Sequence, residues 1–322
     1  MSVKRALVTG ACGFVGSNLA RRLLREGHEV HLLLRPEHET WRIADLVPHV
    51  RIHLADLCDP AAVERAVAGS RPEWVFHLAV HGAYSYQTDW RRMIDTNVLG
   101  TAGLVHACSR AGFEAFVNTG SSSEYGPKDH APAESEPIDP NSHYAVTKAA
   151  ATHFCRHTAR ALGVHVPTLR LYSVYGPFEE PSRLMPTLVT HGLERRWPPL
   201  VSPRVARDFV HVDDVADAYL RAAAARATEP GAVYNIGSGI QTTLSQVVDV
   251  ARGVFGIEAE PVWASMPNRA WDTDVWVADP GRARRELGWE ARISLADGLG
   301  GMAAWLSADP GRLERYRRAG LS

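Results

Sequence analysis

Three short stretches of this chain carry residue types at spacings that could do chemistry. The first is Thr9-Gly10-Ala11-Cys12-Gly13-Phe14-Val15-Gly16. Its glycines suit a tight turn and let backbone N–H groups approach a pyrophosphate at the start of a helix. The spacing is GxxGxxG rather than GxGxxG. Glycine turns of this kind also join strands to helices without any ligand, so the place directly after the first strand is what points to a dinucleotide. The second stretch is Tyr144-Ala145-Val146-Thr147-Lys148. Residues four apart share one helix face. An ammonium beside a phenol favours phenolate, so the spacing predicts a tyrosine that titrates low and passes a proton to or from a substrate. A chance pair on an exposed helix has the same spacing. The third stretch is Gly120-Ser121-Ser122-Ser123-Glu124-Tyr125-Gly126. Hydroxyls at the C-terminal end of a parallel strand face the crevice where ligands bind. A serine-rich turn that caps a helix is the plainer alternative.

These stretches need elements that bring them together. Apolar patterning predicts strands over 3–9, 29–34, 50–54, 74–78 and 115–119. Helical patterns cover 14–26, 60–69, 88–111 and 141–162, with Gly27 as the stop after the first. Repeated strand–helix–strand units predict an α/β fold, a doubly wound parallel sheet with helices on both faces. After about residue 172 the pattern loosens. The stretch 176–204 is rich in Pro and Arg, a strand is expected over 208–212 and a helix from there to about 225. The expected organisation is a dinucleotide-binding domain over 1–172, to which 206–232 returns. Residues 173–205 and 233–322 would form most of a smaller α/β substrate-binding part.

Composition bounds the function classes. Apolar residues make up 45% of the 322, charged residues 22%, and the net charge is -1, as in ordinary soluble globular proteins. That balance points away from nucleic acid and membrane surfaces as partners. No apolar run approaches the ~18 residues of a membrane span. The N-terminal residues enter a strand pattern at once, which leaves no room for a signal peptide. Cys12, Cys58, Cys108 and Cys155 are scattered without a CxxC pair, so a reduced cytoplasmic protein is expected.

Taken in order along the chain, these motifs resemble the extended short-chain dehydrogenase/reductase family. Four further stretches carry the resemblance: Leu169-Arg170-Leu171-Tyr172-Ser173-Val174-Tyr175-Gly176-Pro177, Arg207-Asp208-Phe209-Val210-His211-Val212-Asp213-Asp214-Val215, Tyr234-Asn235-Ile236-Gly237-Ser238-Gly239 and Leu287-Gly288-Trp289. The match runs from about residue 3 to about 305. It implies a Rossmann sheet and an enzyme, since many members modify nucleotide-linked sugars with a nicotinamide cofactor. It implies that Gly10, Gly13 and Gly16, with Phe14 and Val15 between them, hold the cofactor pyrophosphate. Asp56, beside Leu57, would meet the adenine amine. Leu78, Ala79 and Val80 would line the cofactor cleft, and Asn97 would support the active site. Ser121 falls four residues before Tyr125, where the family places its catalytic Ser or Thr. With Tyr144 and Lys148 it would complete a triad, Lys148 standing on the nicotinamide ribose. Ser122, Ser123 and Ser173 would face substrate, and Arg207 would meet the diphosphate of a nucleotide sugar. The resemblance also implies a homodimer through the helices near 88–111 and 141–162.

Departures from the family pattern narrow the chemistry. Its dehydratases place Asp-Glu directly after the catalytic Ser or Thr, where this chain has Ser122 and Ser123. Members that epimerise at carbons 3 and 5 carry Cys at the position of Ser123. Ser173 stands where many members have Asn, and His143 replaces a frequent Pro. At the end of the second strand, NAD-preferring members put an acidic residue where this chain has Leu34, followed by Arg35. Arg35 suits the 2′-phosphate of NADP(H), so NADP(H) is the expected cofactor. The alternative is a solvated Arg35, with Glu37 or Glu39 on the ribose of NAD(H). The expected reaction is NAD(P)H-dependent reduction of a nucleotide-diphosphate 4-keto-6-deoxy sugar. A 4-epimerase with bound NAD is the close rival, and a non-catalytic NAD(P) sensor the rival of another class. His153 and His157 are four apart, which suits either a metal pair or a plain helix face; no metal is expected. Tyr84, Tyr86, Trp90, Trp197 and Trp271 could contact sugar or base, though packing is the commoner use of each.

Overall fold

The protein is described from a computed structural model that covers residues 2–84, 86–225, 229–267 and 273–319. Trp271 lies outside the described residues. In chain order the first half runs β1 (Arg5–Thr9), α1 (Phe14–Arg25), β2 (Glu29–Leu34), β3 (Arg51–Leu54), α2 (Pro60–Ser70), β4 (Trp74–His77), α3 (Trp90–Met93), α4 (Thr101–Ala111), β5 (Ala115–Ser121), α5 (His143–Leu162) and β6 (Thr168–Leu171). The second half adds β7 (Ser173–Tyr175), α6 (Leu184–Gly192), β8 (Ala206–Arg207), β9 (Phe209–His211), α7 (Val212–Ala224), β10 (Val233–Ile236), β11 (Thr242–Thr243), α8 (Leu244–Phe255), α9 (Gly281–Leu287), α10 (Leu295–Ser307) and α11 (Pro310–Ala319). Local chemistry marks the helix starts. Asp59 caps α2 with Pro60 just inside, Ser142 caps α5, and Thr243 with Gln246 forms a capping box on α8.

Among the described residues, seven strands form one sheet in the order β10-β6-β5-β4-β1-β2-β3. Every pairing in it is parallel. Side chains alternate across the sheet with period two. Ala6, Val8, Leu32, Leu34, Trp74 and Phe76 face α1, α7 and α9. Leu7, Leu33, Val75 and Phe116 face α2, α4 and α5. Both faces are therefore covered, as a parallel sheet requires. The strand order turns back between β1 and β4, which opens a crevice at their C-terminal ends. A separate apolar core joins α6, α8, α10 and α11.

Two expected boundaries shift. The strand expected over 208–212 is found as β9, Phe209–His211, which starts after Asp208. The buried Asp208 carboxylate accepts hydrogen bonds from Ser238 N and Oγ, Gly239 N and Ala278 N. The flanking pieces therefore pair with different partners, β8 with β11 and β9 with β7. The boundary expected at 232 also shifts. Strand β10 lies beyond it and pairs with β6 in the main sheet, so the returning segment reaches Ile236.

Candidate active site

The crevice is built by close backbone packing. Gly10 has φ +70°, and a Cβ there would lie 2.6 Å from Ala79 N. A Cβ on Gly16 would strike the Gly10 carbonyl. Gly13 heads α1 with no side chain to cap it, so the first-turn amides of Phe14, Val15 and Gly16 have no capping partner. A helix start of this kind favours an anion. Thr9 Oγ1 accepts from Leu78 N and Ala79 N at 3.1 Å each, which fixes the half-buried Leu78-Ala79-Val80 segment beside the glycine turn. These residues fit a dinucleotide pyrophosphate.

A buried relay ties that segment to the helices. Thr9 Oγ1 and His77 Nδ1 are 2.8 Å apart, as are His77 Nε2 and Thr101 Oγ1. Thr101 gives its own proton to Asn97 O, so His77 must donate from Nε2 and accept at Nδ1. Burial pushes His77 down to about 3, with the Lys148 charge acting in the same direction, so the ring is neutral. Asn97 sits in a π-helical segment, Ile94–Gly100, between α3 and α4. Its Oδ1 accepts from His81 N, and its Nδ2 donates to His81 O and Thr147 Oγ1, all within 2.9 Å. Thr147 in turn donates to Tyr144 O. Asn97 thus joins the loop after β4 to the Tyr-Lys face of α5.

Ser121, Tyr144 and Lys148 meet at the end of β5. Ser121 heads a 3-10 turn, Ser122–Tyr125, in a capping box with Glu124. Its Oγ lies 2.7 Å from Ser123 Oγ and accepts from Ser123 N, while Ser122 is buried. The Lys148 ammonium donates to the Thr119 carbonyl. Burial lowers its affinity for a proton, opposed by the charge of Glu124. The expectation that Lys148 pulls Tyr144 down is not met. Burial pushes the phenol up, against a hydrogen bond from Ser121, and Lys148 is not among the groups that act on it. Taking a phenolate out of water is costly, and the Lys148 ammonium places one of its three donors on the Thr119 carbonyl.

Two residues beside the candidate site carry no role in the sequence analysis. Glu124 is fully buried beneath Ser121 and accepts from Ser121 N at 2.8 Å, Arg170 Nε at 2.9 Å and Thr152 Oγ1 at 3.0 Å. Its signal was present as the Ser-x-x-Glu spacing of a capping box. Arg183 precedes α6, with its Nε 3.9 Å from Glu179 Oε1, and its charge acts on both Tyr144 and Tyr84. Nothing in its local sequence marked it.

The remaining candidates are distributed around the crevice. Leu34 is buried in the core, while Arg35 is exposed, and the charges of Arg35, Arg42 and Glu39 all act on Cys12 of the glycine turn. Asp56 already accepts from Arg92 Nη2 at 2.7 Å and from Cys58 N at 2.9 Å. Burial acts to raise its pKa, but these bonds prevail and hold it low. Leu57 is buried against Gly100, whose Cβ would lie 2.8 Å from that of Leu57. Ser173 starts β7 and donates its N–H to Asp208 O. The Arg207 guanidinium lies 5.9 Å from the Trp276 ring and donates to Ala206 O. His143 is exposed at the start of α5. Trp197 packs in the C-terminal core and donates to Ala259 O. Tyr84 and Tyr86 stack on each other at 5.5 Å. Trp90 is half exposed, and His153 and His157 are exposed on α5. No helix among the described residues is long and apolar enough to cross a membrane.

Comparison with known proteins places this geometry. The model of the NAD dependent epimerase/dehydratase family matches residues 6–237. The dTDP-glucose 4,6-dehydratase of Streptomyces griseus is 31% identical, the alignment covering 93% of each chain. The UDP-glucose 4-epimerase of Mycolicibacterium smegmatis is also 31% identical, over 92% of this chain and 96% of its own. The solved structure of MoeE5 in complex with UDP-glucose and NAD shares 31% identity and a TM-score of 0.81, covering 94% of this chain and 98% of that one. With its glycine cradle, its Tyr–Lys helix and a fold shared along almost its whole length, this chain belongs to the NAD-dependent epimerase/dehydratase family of extended short-chain dehydrogenase/reductase enzymes.

Proposed function

We propose that the protein reduces the 4-keto group of a nucleotide-diphosphate 4-keto-6-deoxy sugar, with NADPH as the preferred reductant. Arg35 carries this reading. It is exposed next to the glycine turn, and Leu34, at the position of the usual ribose-binding acid, is turned into the core. A planar guanidinium suits a 2′-phosphate, and a leucine cannot accept from ribose hydroxyls. A bound nicotinamide dinucleotide supplies the hydride. The Tyr144 phenol gives its proton to the oxygen of the former carbonyl, so that carbonyl, hydride and proton together make the alcohol, and solvent restores the phenol. Ser121 would donate to the same oxygen, and Lys148 would hold the ribose of the bound cofactor.

Ser122 and Ser123 argue against dehydration, because a hydroxyl cannot abstract a ring C–H proton near neutral pH. On the substrate side, Ser173, Arg207 and Arg183 would face the diphosphate and sugar. Residues 1–172 with 206–236 would hold the cofactor, and the rest would close over the sugar. A homodimer through residues 88–111 and 141–162 is supported by Trp90 of α3, Ile94 and Leu99 of the π-helical segment and Val146 of α5, all exposed. The second reading is a 4-epimerase that keeps its NAD, favoured by the NAD-bound MoeE5 structure with UDP-glucose. The test is the ratio of kcat/KM for NADPH over NADH. It should reach about tenfold or more, the worth of one charge-assisted contact, and Arg35→Ala should erase most of it. A wild-type ratio near one would remove the basis for the NADPH assignment.

A further inference from the structure

The C-terminal helix α11 is polar on every side but one. Among the described residues, Tyr316 is its buried residue, and it is fully enclosed. Its ring and its hydroxyl serve different neighbours. The ring stands edge-on to Trp41 at 6.3 Å and to Trp305 of α10 at 5.6 Å. The hydroxyl donates to Glu179 O at 2.7 Å.

Trp41 and Glu179 belong to the two loops that flank the crevice. Trp41 lies in the loop after β2, the loop that begins at Arg35 and carries Glu39. Among the described residues, it is the one side chain before Tyr175 that packs on the C-terminal core. Its neighbour Arg42 lies over the Trp41 ring at 4.1 Å and bridges to the second loop, donating to Phe178 O at 2.8 Å and to Glu180 Oε2 at 3.0 Å. The second loop, 176–183, ends at Arg183, whose charge acts on Tyr144. Phe178 in that loop holds φ +69° without being a glycine, a conformation that costs energy unless its surroundings enforce it. The Trp305 ring at 4.7 Å and the Arg21 guanidinium at 3.8 Å from the Phe178 ring supply that enforcement.

We propose that α11 is a clasp that sets both ligand-facing loops, with Tyr316 as its positioning residue. The ring fixes the loop after β2 and hence dinucleotide affinity. The hydroxyl fixes the 176–183 loop and hence affinity for the nucleoside diphosphate of the substrate. This inference rests on the cofactor and substrate reading given above.

The experiment compares full-length wild-type, Tyr316→Phe and Tyr316→Ala proteins, well below their melting temperatures. Dissociation constants are measured for NADPH, and separately for UDP and dTDP as nucleoside diphosphate probes. Tyr316→Phe keeps the ring and loses one hydrogen bond. It should hold NADPH within about twofold of wild type while weakening the preferred nucleoside diphosphate about three- to tenfold. Tyr316→Ala should weaken both, NADPH by about tenfold. Trp41 also meets the Phe178 ring at 6.3 Å, so Trp41→Leu should weaken NADPH more than the nucleoside diphosphate, and it serves if Tyr316→Ala does not fold. A purely structural role would lower the melting temperature and leave the split unseen. Wild-type constants in Tyr316→Phe and Trp41→Leu, or equal losses on both probes in each, overturn the clasp. Wild-type protein that binds neither NADPH nor NADH overturns the cofactor reading itself and the clasp with it.

Discussion

At the N-terminal edge of the sheet, polar groups are satisfied by one another. Arg51 meets Glu29 at 3.2 Å, Arg5 meets Glu73 at 3.7 Å, and Lys4 meets Glu114 at 2.7 Å. His31 bridges Glu29 at 3.1 Å and His53 at 2.8 Å. At the C-terminal edge of the same strands the arrangement differs. The glycine turn leaves helix-start amides uncapped, the histidine relay is neutral, and the hydroxyls of Ser121 and Ser123 face each other over a buried Glu124. One edge pairs most of its polar groups within the protein, with the buried His28 Nε2 left without a hydrogen bond. The other keeps donors and a phenol positioned for something not yet bound. The strands are the same, so the difference lies in which residues follow each strand, not in the sheet.

Substitutions should separate the two edges. The largest effect on rate is expected from Tyr144→Phe. It should lower kcat by about 10²–10⁴, the worth of one positioned acid, while substrate affinity stays close to wild type. Wild-type turnover in that variant would show that Tyr144 is not the proton donor. Glu124→Gln comes next. It leaves Arg170 buried without its counter-charge, at a cost of about 3–5 kcal/mol in stability. Urea unfolding reads that cost, and a loss under about 1 kcal/mol would mean that water already satisfies Arg170.

Acid should expose the neutral relay. The folded state holds His77 near 3, and the unfolded chain binds that proton at about 6.5. Below about pH 6.5 the unfolded state therefore takes up more protons, and stability falls as pH falls. For this histidine the loss reaches about 2 kcal/mol by pH 5. The acid-dependent loss should shrink by about that amount in His77→Gln, and an undiminished loss would place it elsewhere. The smallest effect is expected at the far edge. Glu29→Gln should cost about 1 kcal/mol or less in stability and leave kcat/KM unchanged. A clear change in kcat/KM there would mean that the two edges are coupled.

Much of this architecture was readable in the sequence because it rests on local rules. The glycine turn, the span of β2 and the helix that carries Tyr144 and Lys148 each follow from a few adjacent residues. Features set by distant contacts were not readable. The strand expected from Asp208 starts after it because the Asp208 carboxylate is claimed by Ser238, Gly239 and Ala278, 30 to 70 residues away. Tyr144 rises instead of falling because the fold takes the phenol away from water, and the spacing that puts Lys148 on its helix face shows neither that enclosure nor the ammonium's bond to Thr119. Arg183 reaches the site through the fold of its loop, and Tyr316 lies beyond the stretch of family resemblance. The capping-box spacing at Glu124 was visible, but the pairing with Arg170 that gives it weight is not local.

The central claim is a reaction that consumes cofactor in one direction. Its most direct test is to incubate the protein with NADPH and a nucleotide-diphosphate 4-keto-6-deoxyhexose and to follow absorbance and product together. The account predicts one NADPH oxidised for each 4-hydroxy sugar formed, with NADH at least about tenfold poorer. A UDP-hexose interconverted with its 4-epimer, with NAD retained on the protein and no net oxidation, would contradict it and establish the epimerase in its place.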